Sequence, residues 1–258
     1  MEPIQFLLAG LSGGLVALLL TVFGGGGSVL AVPLLLYVVG IADPHTAIGI
    51  SAAGVALNGL TALAGQARAG RVRWPCAGMF AVIGATAAWI GSSVAKTISG
   101  DALLIAFAVA MALIGASMLR PKRDLGNSDA RLNRQMAPRL AGAATVVGSA
   151  AGFFGIGGGF LIVPGLVWAM GMTLAAAQAT SLLSVAAFGA STAVNYSLSG
   201  MINWWAVLAM AIGGAVGTWA GLPISKRLAD HAAISRRLFA GMILLVAVYI
   251  FVKTIMGG

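Results

Sequence analysis

Residues 21–35 read TVFGGGGSVLAVPLL, four consecutive glycines inside an apolar run built for a membrane helix. Glycine costs a helix interior about 1 kcal/mol against alanine. A bilayer offers no water to backbone groups that a broken helix releases. Grouping the weakest helix formers in mid-membrane therefore calls for a local reason, and the rest of the chain supplies one. The stretch Phe23–Gly40, FGGGGSVLAVPLLLYVVG, returns as Phe154–Gly171, FGIGGGFLIVPGLVWAMG, 131 residues later. The phenylalanine, three glycines, the Leu-Xaa-Val-Pro group and the closing glycine all match.

After a one-residue deletion the correspondence continues at a shift of 130. Ser51 meets Ser181, Gly70 and Trp74 meet Gly200 and Trp204, Gly84 meets Gly214, Trp89 meets Trp219, and Lys96 meets Lys226. Apolar sequence of low complexity aligns alanines and leucines by chance, but not proline, tryptophan, lysine and glycine clusters together. Each half thus carries the same parts. In the first, apolar runs cover about 4–22 and 28–41, followed by spans near 46–67, 74–95 and 101–119. In the second they cover 140–153, 159–171, 176–198, 203–222 and 234–256. The chain divides into a first membrane repeat (1–119), a basic cytoplasmic linker (120–139) and a second membrane repeat (140–258).

Composition agrees with this class. Of 258 residues, 60% are hydrophobic and 8% charged, with a mean hydropathy of +1.00. The lone Cys76 excludes an internal disulfide framework, and two histidines, His45 and His231, make no metal-ligand cluster. The N-terminal MEPIQFLLAG has an acid where a signal peptide carries basic residues, which reads as a retained first span. The net charge of +9 sits almost wholly in short breaks between apolar runs. That is an orientation signal facing anionic lipid, not a nucleic-acid footprint.

Charge placement also selects the topology. If each glycine-broken pair crossed once, the halves would run parallel, with ten basic residues inside and five outside. If each pair is a hairpin, the repeats are inverted and the count becomes thirteen against two. The positive-inside rule favours the hairpin. The expected fold is an all-α integral membrane protein of two inverted-topology repeats, each a glycine-broken helical hairpin plus three transmembrane helices. Both termini are then outside.

Residues 28–41 make only about 21 Å of helix, short of a core of about 30 Å. Short, glycine-interrupted segments at matching places in two inverted halves point to a transporter's central site. Each break also starts a helix, whose free N–H groups and positive dipole end suit an anion. No carboxylate falls in the interior of a span, while neutral donors do. The candidate substrate-binding residues are Gly25, Gly26, Gly27, Ser28, Ser51 and Asn58 from the first half. Gly157, Gly158, Gly159, Thr180 and Ser181 come from the second. Close helix packing of the small-xxx-small kind is the competing explanation for the glycines. Asp43 and His45 offer a proton-coupling pair, against the plainer reading of a solvated turn. No nucleophile–base pair, cofactor fingerprint or metal set accompanies them, so an enzyme is not expected.

The paired FGGGGSVLAVPLL and FGIGGGFLIVPGL segments, the TSLLS run at Thr180–Ser184 and the loops at Gly70–Trp74 and Gly200–Trp204 resemble the TauE/SafE sulfite exporter family. The resemblance covers nearly the whole chain. It implies a multi-pass carrier in the bacterial inner membrane, exporting sulfite or a related sulfur oxyanion or organosulfonate. An anion channel and a non-transporting membrane partner are the other classes the motifs leave open. The first break departs from the second in having Gly25 for Ile156 and Ser28 for Gly159, which places a hydroxyl on one side only.

Overall fold

A computed structural model describes residues 2–119, 135–228 and 232–256. The expected linker through residue 134, and His231, lie outside the described residues. Among the described residues ten α-helices follow one another: α1 (Pro3–Phe23), α2 (Ala31–Tyr37), α3 (Pro44–Arg68), α4 (Trp74–Ala95), α5 (Gly100–Leu119), α6 (Ala137–Phe154), α7 (Gly159–Met170), α8 (Leu174–Leu198), α9 (Trp204–Leu228) and α10 (Ala232–Met256). A 3-10 segment, Gly24–Leu30, joins α1 to α2. Most expected spans agree with these bounds to within three residues; the exceptions are the run expected at 28–41, where α2 covers only 31–37, and α9, which continues to Leu228 instead of ending near 222.

Local signals explain the starts. Prolines occupy the first turns of α3, α4 and α6, where a missing N–H costs nothing. Asp43 caps α3 by accepting from His45 N and Thr46 N, and Thr173 caps α8 by accepting from Ala176 N. Five helices, α1, α3, α4, α8 and α9, are long and apolar enough to cross a membrane. Outward faces of the helices carry large apolar side chains, including Val146 of α6, Trp219 of α9 and Leu245 of α10, each more than 70% exposed. Such a surface is stable against lipid rather than water.

The core is organised by exchange between halves. α1 packs on α9, and α6 packs on α4; α3 packs on α8, and α5 on α10. Position-by-position contacts fix the directions. Along α1 and α9, Gly10, Gly14 and Thr21 meet Gly213, Gly217 and Gly221 in the same order, so the two helices run parallel. Along α4 and α6, Gly84 meets Gly148 and Ala88 meets Gly152, again parallel. α3 and α8 run oppositely, because Gly49 touches Tyr196 and Met201 while Gly59 touches Val185 and Ala186. α3 and α8 are also deeply buried, with Ile48, Ile50, Val55, Val185, Phe188 and Tyr196 essentially inaccessible.

The parallel pairs touch backbone to backbone. A β-carbon on Gly148 would fall on Gly84 O, on Gly152 against Ala88 O, and on Gly213 against Gly10 O. Small-residue packing of this kind is how helices associate without a hydrophobic driving force. Gly142, on the same helix as Gly148, has nothing within 4 Å of its would-be Cβ. Gly152→Ala should therefore lower stability by about 1–3 kcal/mol through overpacking. Gly142→Ala should be neutral or slightly stabilising, since it only improves helix propensity. Thermal unfolding of both variants in one detergent checks the pair.

Candidate functional site

The two glycine breaks differ in construction. In the second, Gly155 ends α6 at φ +65°, and Gly157 and Gly158 follow at +62° and +68°. Ile156 between them has a negative φ, like every described non-glycine residue. A side chain resists the left-handed region, so this path is open only to glycine. The N–H groups of Ile156, Gly157 and Gly158 have no acceptor among the described residues. A negative-φ residue followed by a left-handed one, as at Ile156 and Gly157, turns successive N–H groups toward one side, as in an anion-holding nest. The 12-residue α7 then begins at Gly159 and adds its positive dipole end.

The first break is wound instead of open. α1 passes directly into the 3-10 segment, which takes in Gly24–Gly27 with Ser28, and α2 is only seven residues long. A helix starting near 28 after an unpaired gap is thus not what forms. Four glycines have no side chains to oppose tighter winding, and 3-10 bonds satisfy the backbone locally. Gly27 is held by steric need, because a β-carbon there would land on Leu19 and Leu20 of α1. Gly158 backs in the same way onto Ala151 of α6, a position matched to Leu20 by the 131-residue shift. At these two positions the packing explanation of the glycines holds.

The breaks meet each other between α3 and α8. The 3-10 segment packs on α7. The Cβ position of Gly157 lies 2.9 Å from Val55 Cγ1 and 3.2 Å from Val185 O, near the middle of the two 25-residue helices α3 and α8. Gly155 lies over Ile48, and Gln178 Nε2 donates to Phe23 O at 3.2 Å. Ile48 and Gln178 are themselves repeat-matched, so each break is seated by the opposite half's equivalent residue.

Ser51 shares the face of α3 with Ile48 and Val55, by three- and four-residue spacing. It is fully buried, and its Oγ has no hydrogen-bond partner. A buried hydroxyl left unpaired costs about 1–3 kcal/mol, a cost that an oxyanion accepting from it would remove. Its matched residue, Ser181, is buried and donates to Gln178 O at 2.8 Å. Ser184, one turn on, is buried with an unpaired Oγ, and sequence reasoning did not place it among the binding residues. Gly155 and Ile156, which belong to the same break, stand at the second and third positions of the FGIGGGF segment and were not among the candidate residues.

Other expected site residues serve elsewhere. Asn58 Nδ2 donates to Gly13 O at 3.4 Å, and its side chain fills the space beside Gly214. One turn away Thr61 and Thr218 hydroxyls meet at 3.2 Å, so this polar group stitches α1, α3 and α9. Thr180 Oγ1 accepts from Arg73 N at 3.2 Å, tying α8 to the turn before α4. Asp43 is a helix cap: Thr46 N and Oγ1 donate to its Oδ2 at 2.8 and 2.6 Å. Partial burial acts to raise the Asp43 carboxyl, but the Thr46 and His45 hydrogen bonds together outweigh it and hold it below the usual carboxylate range. Its capping contribution is accordingly present at neutral pH and lost as pH falls through that lowered value. His45 Nε2 lies 3.1 Å from Ile98 O. Among the described residues no cluster of His, Cys, Asp and Glu could hold a metal ion.

Comparison with known proteins places this architecture. The family model for sulfite exporter TauE/SafE matches residues 8–250. A "probable membrane transporter protein" of Xylella fastidiosa is 40% identical over 240 residues, covering 93% of this chain and 92% of the relative. The "probable membrane transporter protein YunE" of Bacillus subtilis is 25% identical over 244 residues, 86% of each chain. No solved structure matches. The chain belongs to the sulfite exporter TauE/SafE family and is a multi-pass membrane transporter.

Ser51 separates binding from packing better than any glycine here, because alanine at Gly27 or Gly158 clashes whatever the function. Ser51→Ala removes an unpaired polar group without adding an atom. Its Tm without substrate should stay the same or rise, while sulfite transport should fall about tenfold, the loss of one hydrogen bond to a charged group. Matched unfolding and flux measurements check both halves of that expectation.

Proposed function

We propose that the protein is a secondary carrier of a small oxyanion, with sulfite or a related sulfur oxyanion or organosulfonate as cargo. The anion sits where the two breaks meet at mid-depth. The N–H groups of Ile156, Gly157 and Gly158 hold it, with the Ser51 hydroxyl as a further donor. The observation that carries this reading is the left-handed break at 155–158, with three unpaired N–H groups at the middle of α3 and α8. Field and donors alone select for negative charge: Glu2, Asp43 and Asp101 all lie at helix starts, away from this depth. Family membership supports sulfur oxyanions over carboxylates.

The same proposal holds the halves to be inverted-topology repeats. Support comes from α3 and α8, which occupy matching places in the repeat and run antiparallel. A two-fold relation between antiparallel elements has its axis across them, in the membrane plane if they span it. With the thirteen-to-two charge count, Arg68, Arg71 and Arg73 then face the cytoplasm, as does the 120–139 linker. Carriers of this design alternate by rocking one repeat against the other around a fixed central site.

Two measurements test the proposal. Liposomes containing the purified protein should take up radiolabelled sulfite above protein-free liposomes, and excess acetate should not compete. Transport of acetate with no effect of sulfite overturns the cargo assignment. On a Cys76→Ser background, cysteines replacing Ser128 or Asp230 should react with an impermeant thiol reagent only after the membrane is opened. Labelling from outside intact cells overturns the inverted arrangement.

A further inference from the structure

The end of the molecule where α3 begins and α4 and α8 finish carries a polar network that the central site does not use. Lys96, the C-cap of α4, donates from Nζ to Asn195 Oδ1 at 2.6 Å and to Ser199 Oγ at 2.8 Å. It also reaches Asn195 O at 3.3 Å and lies 5.8 Å from the centroid of the Tyr196 ring. Asn195 Nδ2 in turn donates to Trp89 O, Ser92 Oγ and Ser93 Oγ at 3.0, 2.6 and 2.8 Å. The Tyr196 ring also stacks with His45 at a centroid distance of 6.4 Å. Lys96, Ser92 and Ser93 belong to the first repeat, and Asn195, Tyr196 and Ser199 to the second. The network therefore fastens the two halves to each other at one end.

The sequence does not repeat its side-chain acceptors at the opposite end. The residues matched to Asn195, Tyr196 and Ser199 are Gly65, Gln66 and Ala69. A β-carbon on Gly65 would meet Leu222 Cδ2 at 3.3 Å. Lys226 retains the matched position of Lys96, but glycine and alanine at 65 and 69 offer it no side-chain oxygen. A fastening whose acceptors are not repeated in the other half is what biases a rocking carrier toward one closed end. Every acceptor of Lys96 among the described residues is neutral. Such charge-assisted bonds hold, yet an oxyanion arriving with a full negative charge is a stronger partner for the ammonium. The fastening can thus yield to the cargo itself.

We infer that Lys96, clasped by Asn195 and Ser199 across the α4–α8 seam, is a one-sided latch. It keeps the extracellular end shut in the resting protein. This rests on the carrier reading and its orientation, and the test uses accessibility rather than flux so that the two fail separately. On the Cys76→Ser background, Ser51→Cys places a thiol about two turns from the extracellular start of α3. Its reaction with an impermeant maleimide outside intact cells reads how open that end is. Adding Lys96→Met should speed labelling about tenfold, and Asn195→Ala should act likewise. Ser199→Ala, which removes one bond, should give a smaller increase of about threefold and serves if the larger changes impair folding. Lys226→Met should leave the rate within about twofold. No acceleration in folded Lys96→Met or Ser199→Ala protein overturns the latch, as does an equal acceleration by Lys226→Met. Loss of sulfite flux in the unsubstituted protein would instead strike the carrier reading and leave the accessibility result standing.

Discussion

Everything in this fold depends on how closely the parallel helices approach. Gly84 against Gly148, and Gly213 against Gly10, bring backbone into contact with backbone where any β-carbon would intrude. In lipid there is no hydrophobic gain from hiding leucine, so contact itself has to do the holding. Once α1 is set on α9 and α6 on α4, each half is anchored in the other. The seam between α3 and α8 is then fixed, and the broken hairpins have somewhere to lodge. A break in lipid would expose unpaired N–H groups to hydrocarbon; a break against Val55 and Val185 is surrounded by protein.

Much of this was legible in the sequence because the strongest signals there are steric. Proline, glycine and the length of apolar runs place the helices to within a few residues, and the FGGGG and FGIGGG clusters mark both breaks. What the letters hid was the form of each break. Ile156 in place of Gly25 is a single difference, yet one segment winds as 3-10 and the other unwinds through three left-handed glycines. Glycine permits both outcomes, and in each the chain is backed closely, by Leu19 and Leu20 in one case and Ala151 in the other.

The polar residues were harder to read for a related reason. Ser, Thr and Asn in a membrane helix have similar side-chain chemistry but several possible duties, and only neighbours distinguish them. Thr180 and Asn58 turned out to stitch helices together, while Ser51 stands on the face that meets the break with its hydroxyl unpaired. Lys96 was visible as a charge on the wrong side for orientation, but its partners, Asn195 and Ser199, lie about a hundred residues away.

The unequal breaks have a thermodynamic consequence. In a carrier whose halves were identical, the two-fold operation would turn the outward-facing state into the inward-facing one, and the two would be degenerate. Any standing preference between them has to come from departures from that symmetry. The tightly wound Gly24–Leu30 and the open Gly155–Gly158 are the largest such departures in the backbone. In the proposed rocking carrier, any difference in how their conformational free energies change between the two states is a built-in offset, present before any cargo or gradient acts.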